Sequence, residues 1–242
     1  MTDVDDAKSR LRRLVGEEGL ARLDAARVAV VGLGGVGASC TEALARGGIG
    51  RFLLMDRDAV EPSNINRQAI AFVSTVGQRK VDVMRAMIAD INPEAEVLVR
   101  DGFVAPDAVA EAFAPFPQPD FIVDAVDTLT VKVALAQYAQ GQGIPIVSAM
   151  GGANKMDPTQ LRFADLADTR VCPLCRELRK IARDRGLSGL TVLFSSEQPV
   201  DVGAESRPDR RSRSELGTMS YMPPIMGQML ASWVIRWVLR QG

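Results

Sequence analysis

Four groups of residues have the types and spacing that chemistry requires. Gly32, Gly34 and Gly37 form a GxGxxG pattern inside VVGLGGVG, immediately after a run of small apolar side chains. Such a turn lets backbone N–H groups approach a phosphate at the positive end of the helix that follows. Asp56 closes the next apolar run, 19 positions beyond Gly37. A carboxylate placed there can accept hydrogen bonds from ribose hydroxyls. Past the acidic pair Asp56 and Asp58, Arg67 sits in the polar stretch SNINRQ, and its planar fork of donors suits a phosphate. Lys80 falls near the start of the next expected helix, where the helix dipole disfavours a cation unless an anion lies close. Finally, DFIVDAVDT carries Asp124 and Asp127 to the end of a strand. Two carboxylates three apart can hold Mg2+, a hard ion that bridges phosphates, whereas without the ion they would repel them.

The glycine motif alone does not separate NAD from ATP, and it also occurs as a turn that merely packs helix on strand. The downstream arginine and lysine favour a triphosphate. For Asp127 a helix cap is the plain alternative, and for Asp124 a turn residue. An NAD(P)-dependent oxidoreductase or a non-catalytic nucleotide-binding module remains the reading of another class.

These groups need a scaffold that brings strand ends together. Residues 28–31 form a continuous apolar run, as expected for a strand buried on both faces. A helix over 35–47 and a strand over 52–55 follow. An amphipathic helix over 77–92 carries Val81, Met84, Ile88 and Ile91 on one stripe, with Pro93 beyond its end. Strands are expected over 97–99, 121–123 and 146–148, with helical segments over 107–114 and 129–139 between them. Alternating strand and helix predicts an α/β fold: a Rossmann-like, doubly wound, mostly parallel sheet flanked by helices. We read one domain over 1–242, with a nucleotide-binding core over 1–150 and a C-terminal extension over 151–242. A short helical preamble spans 11–24. The extension holds strands over 161–163 and 191–194, a charged helical insertion over about 166–187, and a mobile loop over about 198–216 with almost no large apolar side chain. The final helix, about 223–240, places Ile225, Met229, Trp233 and Trp237 on one face and Gln228, Ser232, Arg236 and Arg240 on another. That stripe reads as core or dimer packing, with an interfacial membrane anchor as the rival.

The 242 residues are 47% apolar, enough for a full core, and the formal net charge of -1 attracts no polyanion globally. Three cysteines argue against a disulfide framework and for a reducing cytoplasm. The first residues carry no apolar run of the kind a signal peptide needs, and no uncharged apolar run reaches membrane-spanning length. Histidine is absent, so general-base and metal chemistry must come from other groups or from the substrate.

In this order and spacing, GLGGVG, the strand-ending aspartate, NINRQ, the offset lysine and DAVDT resemble the ubiquitin-activating-type (ThiF/MoeB-like) adenylating superfamily. The resemblance implies Mg2+ and ATP without a Walker A lysine. It implies nucleotide contacts from Gly32, Gly34, Gly35, Gly37, Asp56 and Asp58, and from Asn64, Asn66, Arg67, Gln68, Lys80, Asp127 and Thr128. Catalysis would fall to Arg67, Lys80 and Asp127, with magnesium on Asp127. A dimer-crossing arginine is implied at Arg10, with Arg12 and Arg13 as rivals.

The superfamily's carrier-protein activators often hold zinc with two CxxC pairs. This chain has one pair, Cys172 and Cys175, which counts against a sulfur-carrier adenylyltransferase, the first alternative. A thioester or persulfide at these thiols is the reactive reading, and an incidental thiol the plain one. The C-terminal half, from GGANKMDPTQLRF to LGTMSYMPPIMGQMLASWVI, resembles the tRNA threonylcarbamoyladenosine dehydratases. That implies an ATP-dependent cyclisation of threonylcarbamoyladenosine in tRNA with release of AMP. It also implies a homodimer and sulfur-relay helper proteins; the cysteine count points to the cytoplasm, and packing of the final helix in a core or dimer is favoured over a peripheral membrane contact. A tRNA partner needs cations. Arg170, Arg176, Arg179, Lys180, Arg183 and Arg185 crowd the insertion, and Arg207, Arg210, Arg211 and Arg213 the loop; a merely solvated face is the plain alternative.

Overall fold

The computed structural model describes residues 6–200 and 216–241. Seven strands form one sheet: β1 (Arg27–Val31), β2 (Arg51–Asp56), β3 (Glu96–Asp101), β4 (Phe121–Asp124), β5 (Ile146–Ala149), β6 (Leu161–Asp165) and β7 (Thr191–Ser195). Their spatial order is β3-β2-β1-β4-β5-β7-β6, parallel throughout except that β6 runs antiparallel to β7 at the edge. Because β7 pairs with β5, residues on both sides of Met150 share this sheet.

The apolar run of β1 follows from its central place. Val28 and Val30 face one layer, Ala29 and Val31 the other, so neither face needs polar alternation. Helices α1 (Ser9–Ala25), α2 (Gly35–Arg46), α3 (Lys80–Ile91) and α7 (Met222–Leu239) cover the first face, and α4 (Val109–Phe113) and α5 (Leu129–Gln142) the second. Helix α6 (Pro173–Asp184) packs beside α5 and β7 through Cys175, Leu178 and Ala182. No helix among the described residues is long and apolar enough to cross a membrane.

Three details depart from the expected boundaries. Helix α3 starts at Lys80 rather than residue 77, because Gly77 has φ 86° and Arg79 bridges back to Ala59. Helix α1 is kinked at Gly16, φ 72°. On α7, the stripe of Ile225, Met229, Trp233 and Trp237 is only half-buried. Trp237 meets Phe121 edge-on at 5.2 Å and Trp233 lies 4.5 Å from Phe163. The deeper face, Met222, Met226, Leu230, Val234 and Val238, lies one step round the helix. The loop expected over 198–216 lies largely outside the described residues.

Helices α2 and α7 approach closely because Gly227 lacks a side chain. A Cβ there would stand 2.4 Å from the carbonyl oxygen of Val36 and 2.7 Å from the amide nitrogen of Cys40. In an ordinary helix interior, glycine to alanine stabilises by up to about 1 kcal/mol. Here Gly227→Ala is expected to destabilise by about 1–3 kcal/mol, since helix backbones must separate. Urea unfolding of the variant checks the sign.

The fold matters to function at one point. Between β1 and β4 the connections diverge to opposite sides of the sheet, and the strands' carboxyl ends open a crevice there.

Candidate nucleotide site

Each glycine of the first turn has a separate physical reason. Gly32 has φ 92°, and a Cβ on it would meet the carbonyl oxygen of Ala125 at 2.8 Å. A Cβ at Gly37 would fall 1.8 Å from the carbonyl oxygen of Gly32, so this glycine lets helix meet strand. A Cβ at Gly35 would stand 2.8 Å from the Pro223 side chain. Gly34 alone of the four meets nothing within 4 Å; the protein itself does not use the missing side chain. The open space lies over the N-terminus of α2, where an anion is favoured. Gly34→Ala is therefore expected to leave the thermal midpoint nearly unchanged while weakening ATP binding at least tenfold, and Gly37→Ala to destabilise the fold. Calorimetric ATP titration beside thermal melts separates the two.

Asp56 ties this turn to β2. Its Oδ2 accepts from the Leu33 amide at 2.6 Å and its Oδ1 from the Asp58 amide at 2.7 Å. Each oxygen keeps a lone pair for a ribose hydroxyl. Opposite stands the polar stretch. Asn64 is buried, and its Oδ1 accepts from the Glu61 amide at 3.2 Å. Arg67 donates through Nη1 to Ser63 O and to Asn66 Oδ1, both at 2.8 Å. Asn66 in turn donates to Thr218 O at 3.1 Å. Lys80 is buried at the start of α3 with Nζ 3.1 Å from Asp58 Oδ2. Gln68 is 7% exposed, and its Oε1 has no hydrogen-bond partner. On the β4 side Thr128 donates to Asp127 Oδ1 at 3.3 Å. The cap position of α5 falls on Thr128, not Asp127.

Together these groups line a cleft of about 890 Å³. Gly32, Gly34, Gly35, Asp56, Asp58, Asn64, Asn66, Arg67, Gln68, Lys80, Asp127 and Thr128 are all on its wall. Gly37 is not on that wall; its missing side chain serves the packing of α2 against the end of β1. Arg10 is exposed at the start of α1 and does not line its own chain's cleft.

Asp124 requires a correction as a magnesium ligand. It is 0% exposed and absent from the cleft wall. Lys132 Nζ lies 3.2 and 3.1 Å from its two oxygens, Ser148 donates to Oδ2, and the Val126 amide donates to Oδ1 at 3.1 Å. With its lone pairs committed to a buried ion pair, it turns away from the crevice that β4 opens. Asp127, three residues on, does face the cleft. One carboxylate plus substrate phosphates is an ordinary magnesium environment, so the residues present fit the ion.

Other wall residues escaped the sequence reading. Phe103, just past β3, carries the Arg57 guanidinium over its ring at 4.7 Å. Met150, Gly151, Gly152 and Ala153 follow β5, and Leu174 and Thr218 come from the extension. For Phe103 and residues 150–153 the only sequence signal is their place after strand ends, and Leu174 and Thr218 have none. The two cysteines of the CxxC pair are buried. A hydrogen bond from Cys175 lowers the Cys172 thiol to about 6, and the same contact together with burial raises Cys175. Neither thiol lines the cleft, although Leu174 between them does.

The ThiF family model matches residues 7–242. The chain belongs to the ThiF family. Within that family it is 39% identical over 241 residues to the tRNA threonylcarbamoyladenosine dehydratase of Bacillus subtilis, covering 96% of this chain and 94% of the relative. The corresponding Escherichia coli enzyme is 40% identical over 196 residues, covering 78% and 72%. The crystal structure of the E. coli tRNA N6-threonylcarbamoyladenosine dehydratase in complex with ATP superposes with a TM-score of 0.86 at 34% identity, covering 100% of both chains.

Proposed function

We propose that this chain is an ATP-dependent tRNA threonylcarbamoyladenosine dehydratase: it adenylates the threonylcarbamoyl carboxylate and cyclises it with release of AMP. Similarity to named dehydratases along nearly the whole chain is the observation that carries this reading. The open space over Gly34, flanked by Arg67 and Lys80, supports a triphosphate in the cleft.

In this reading the substrate carboxylate attacks the α-phosphorus of ATP and pyrophosphate leaves. Arg67 and Lys80 offset the charge that develops on the departing phosphates, the kind of fixed electrostatic help that dominates such steps. When the triphosphate enters, Lys80 exchanges Asp58 for phosphate, and Asp56 orients the ribose. Asp127 would hold Mg2+, which neutralises phosphate charge. An attack from within the threonylcarbamoyl group then expels AMP and closes the ring. That step is intramolecular and gains from enforced proximity, so a chain without histidine can perform it. A homodimer, with Arg10 reaching the partner's ATP, completes the reading.

Incubation with ATP and tRNA carrying threonylcarbamoyladenosine tests it. AMP and cyclic nucleoside should appear in equal amounts. AMP formation that follows a ubiquitin-like sulfur-carrier protein and ignores tRNA would replace this reading with the adenylyltransferase one.

A further inference from the structure

Away from the nucleotide cleft, a second concavity of about 590 Å³ lies between α6 and the loop 187–190. Its walls include Arg176, Arg179, Lys180 and Arg183, with Asp165 as the acid at the edge. Residues 170–185 hold six cations against two acids, in a chain whose formal net charge is -1. The charge is thus local, and helix α6 concentrates it on the face away from Cys175, Leu178 and Ala182, which are buried.

Arg176 and Lys180 are not consumed by the fold. Glu177 is the acid beside both Arg176 and Lys180, at 3.7 and 3.5 Å, in exposed pairs that contribute little. Arg179 is half-buried and oriented: its Nη1 donates to Thr169 O at 2.8 Å and to Thr169 Oγ1, which fixes the plane of the fork.

The helix also joins the two concavities. Leu174, in its first turn, is on the nucleotide cleft wall, while Arg183 lies nine residues further along, about 13 Å at 1.5 Å per residue. A polymer whose reacting group enters the cleft past Leu174 meets this cationic face as it leaves.

We infer that the α6 groove is the anchoring site for the phosphate backbone of the substrate RNA, next to the nucleoside that reacts. The inference rests on the tRNA reading above and adds the surface that holds the polymer. Contacts of this kind position a substrate without reading its sequence. They also make affinity fall steeply with salt.

The test uses the full chain and threonylcarbamoyladenosine-bearing tRNA, with binding measured across a salt series and ATP titrated calorimetrically alongside. In the triple variant Arg176→Gln, Lys180→Gln, Arg183→Gln, tRNA should bind at least tenfold more weakly at low salt, with ATP affinity retained. The slope of log affinity against log salt should shrink by about 2, at roughly 0.7 for each single-strand phosphate that the variant no longer neutralises. The variant Glu177→Gln, which removes an acid from the same face, should bind tRNA more tightly, a gain that misfolding does not produce. Unchanged affinity and slope in both variants, while wild type cyclises the tRNA normally, would overturn the groove assignment alone. Wild type that neither binds nor modifies tRNA would instead overturn the functional reading beneath it.

Discussion

Arg67→Ala will cut ATP-dependent AMP formation by about a hundred- to a thousandfold, the usual cost of removing one fixed donor from developing charge. The fold should lose no more than about 1–3 kcal/mol. Arg67 spends its side chain on Ser63 O and Asn66 Oδ1, both neighbours in its own loop. Two such exposed hydrogen bonds are worth about 0.5–1.5 kcal/mol each at most. Arg67→Lys should recover only part of the rate, because an ammonium keeps the charge but loses the bidentate fork. Steady-state AMP release measured beside a thermal melt checks both halves. Full activity in Arg67→Ala would remove the residue from the site.

The second large effect is on stability. Lys132→Met will destabilise by about 3–5 kcal/mol, because it leaves the Asp124 carboxylate charged and unpaired in the interior. Lys132 is 1% exposed and Asp124 is 0% exposed, so water does not stand in for the missing ammonium. That loss is a large share of the roughly 5–15 kcal/mol of a typical domain. Adding Asp124→Asn to Lys132→Met should restore much of it, since the buried charge is then gone while the Val126 amide and Ser148 keep an acceptor. The urea midpoint of the single and double variants is the measurement. If Lys132→Met left the midpoint in place, the buried pair would not be structural, and a ligand role for Asp124 would return.

How far the sequence revealed this molecule depends on whether the determining contact was local. The four apolar residues 28–31 betray a strand covered on both faces, and GLGGVG with Asp56 locates the crevice, because both signals lie along the chain. The start of α3 was not visible. It depends on the positive φ of Gly77 and on Arg79 pairing with Ala59, a contact across 20 residues. The fate of Asp124 was not visible either: a strand-ending carboxylate looks the same whether it faces the crevice or a lysine one helix turn into α5. Phe103 and Met150 reach the cleft because β3 and β5 end beside it, and Thr218 because the chain passes the cleft just before α7. On α7 the aromatic stripe drew attention, yet the seat of the helix is decided by Gly227 and the small residues of α2.

In the proposed function a triphosphate lies over the start of α2, between Arg67 and Lys80. Titration of ATP into the folded wild-type chain, with and without magnesium, tests it most directly. Binding should be saturable, strengthened by magnesium and weakened at least tenfold by Lys80→Ala. Absence of any ATP binding to correctly folded protein would contradict it.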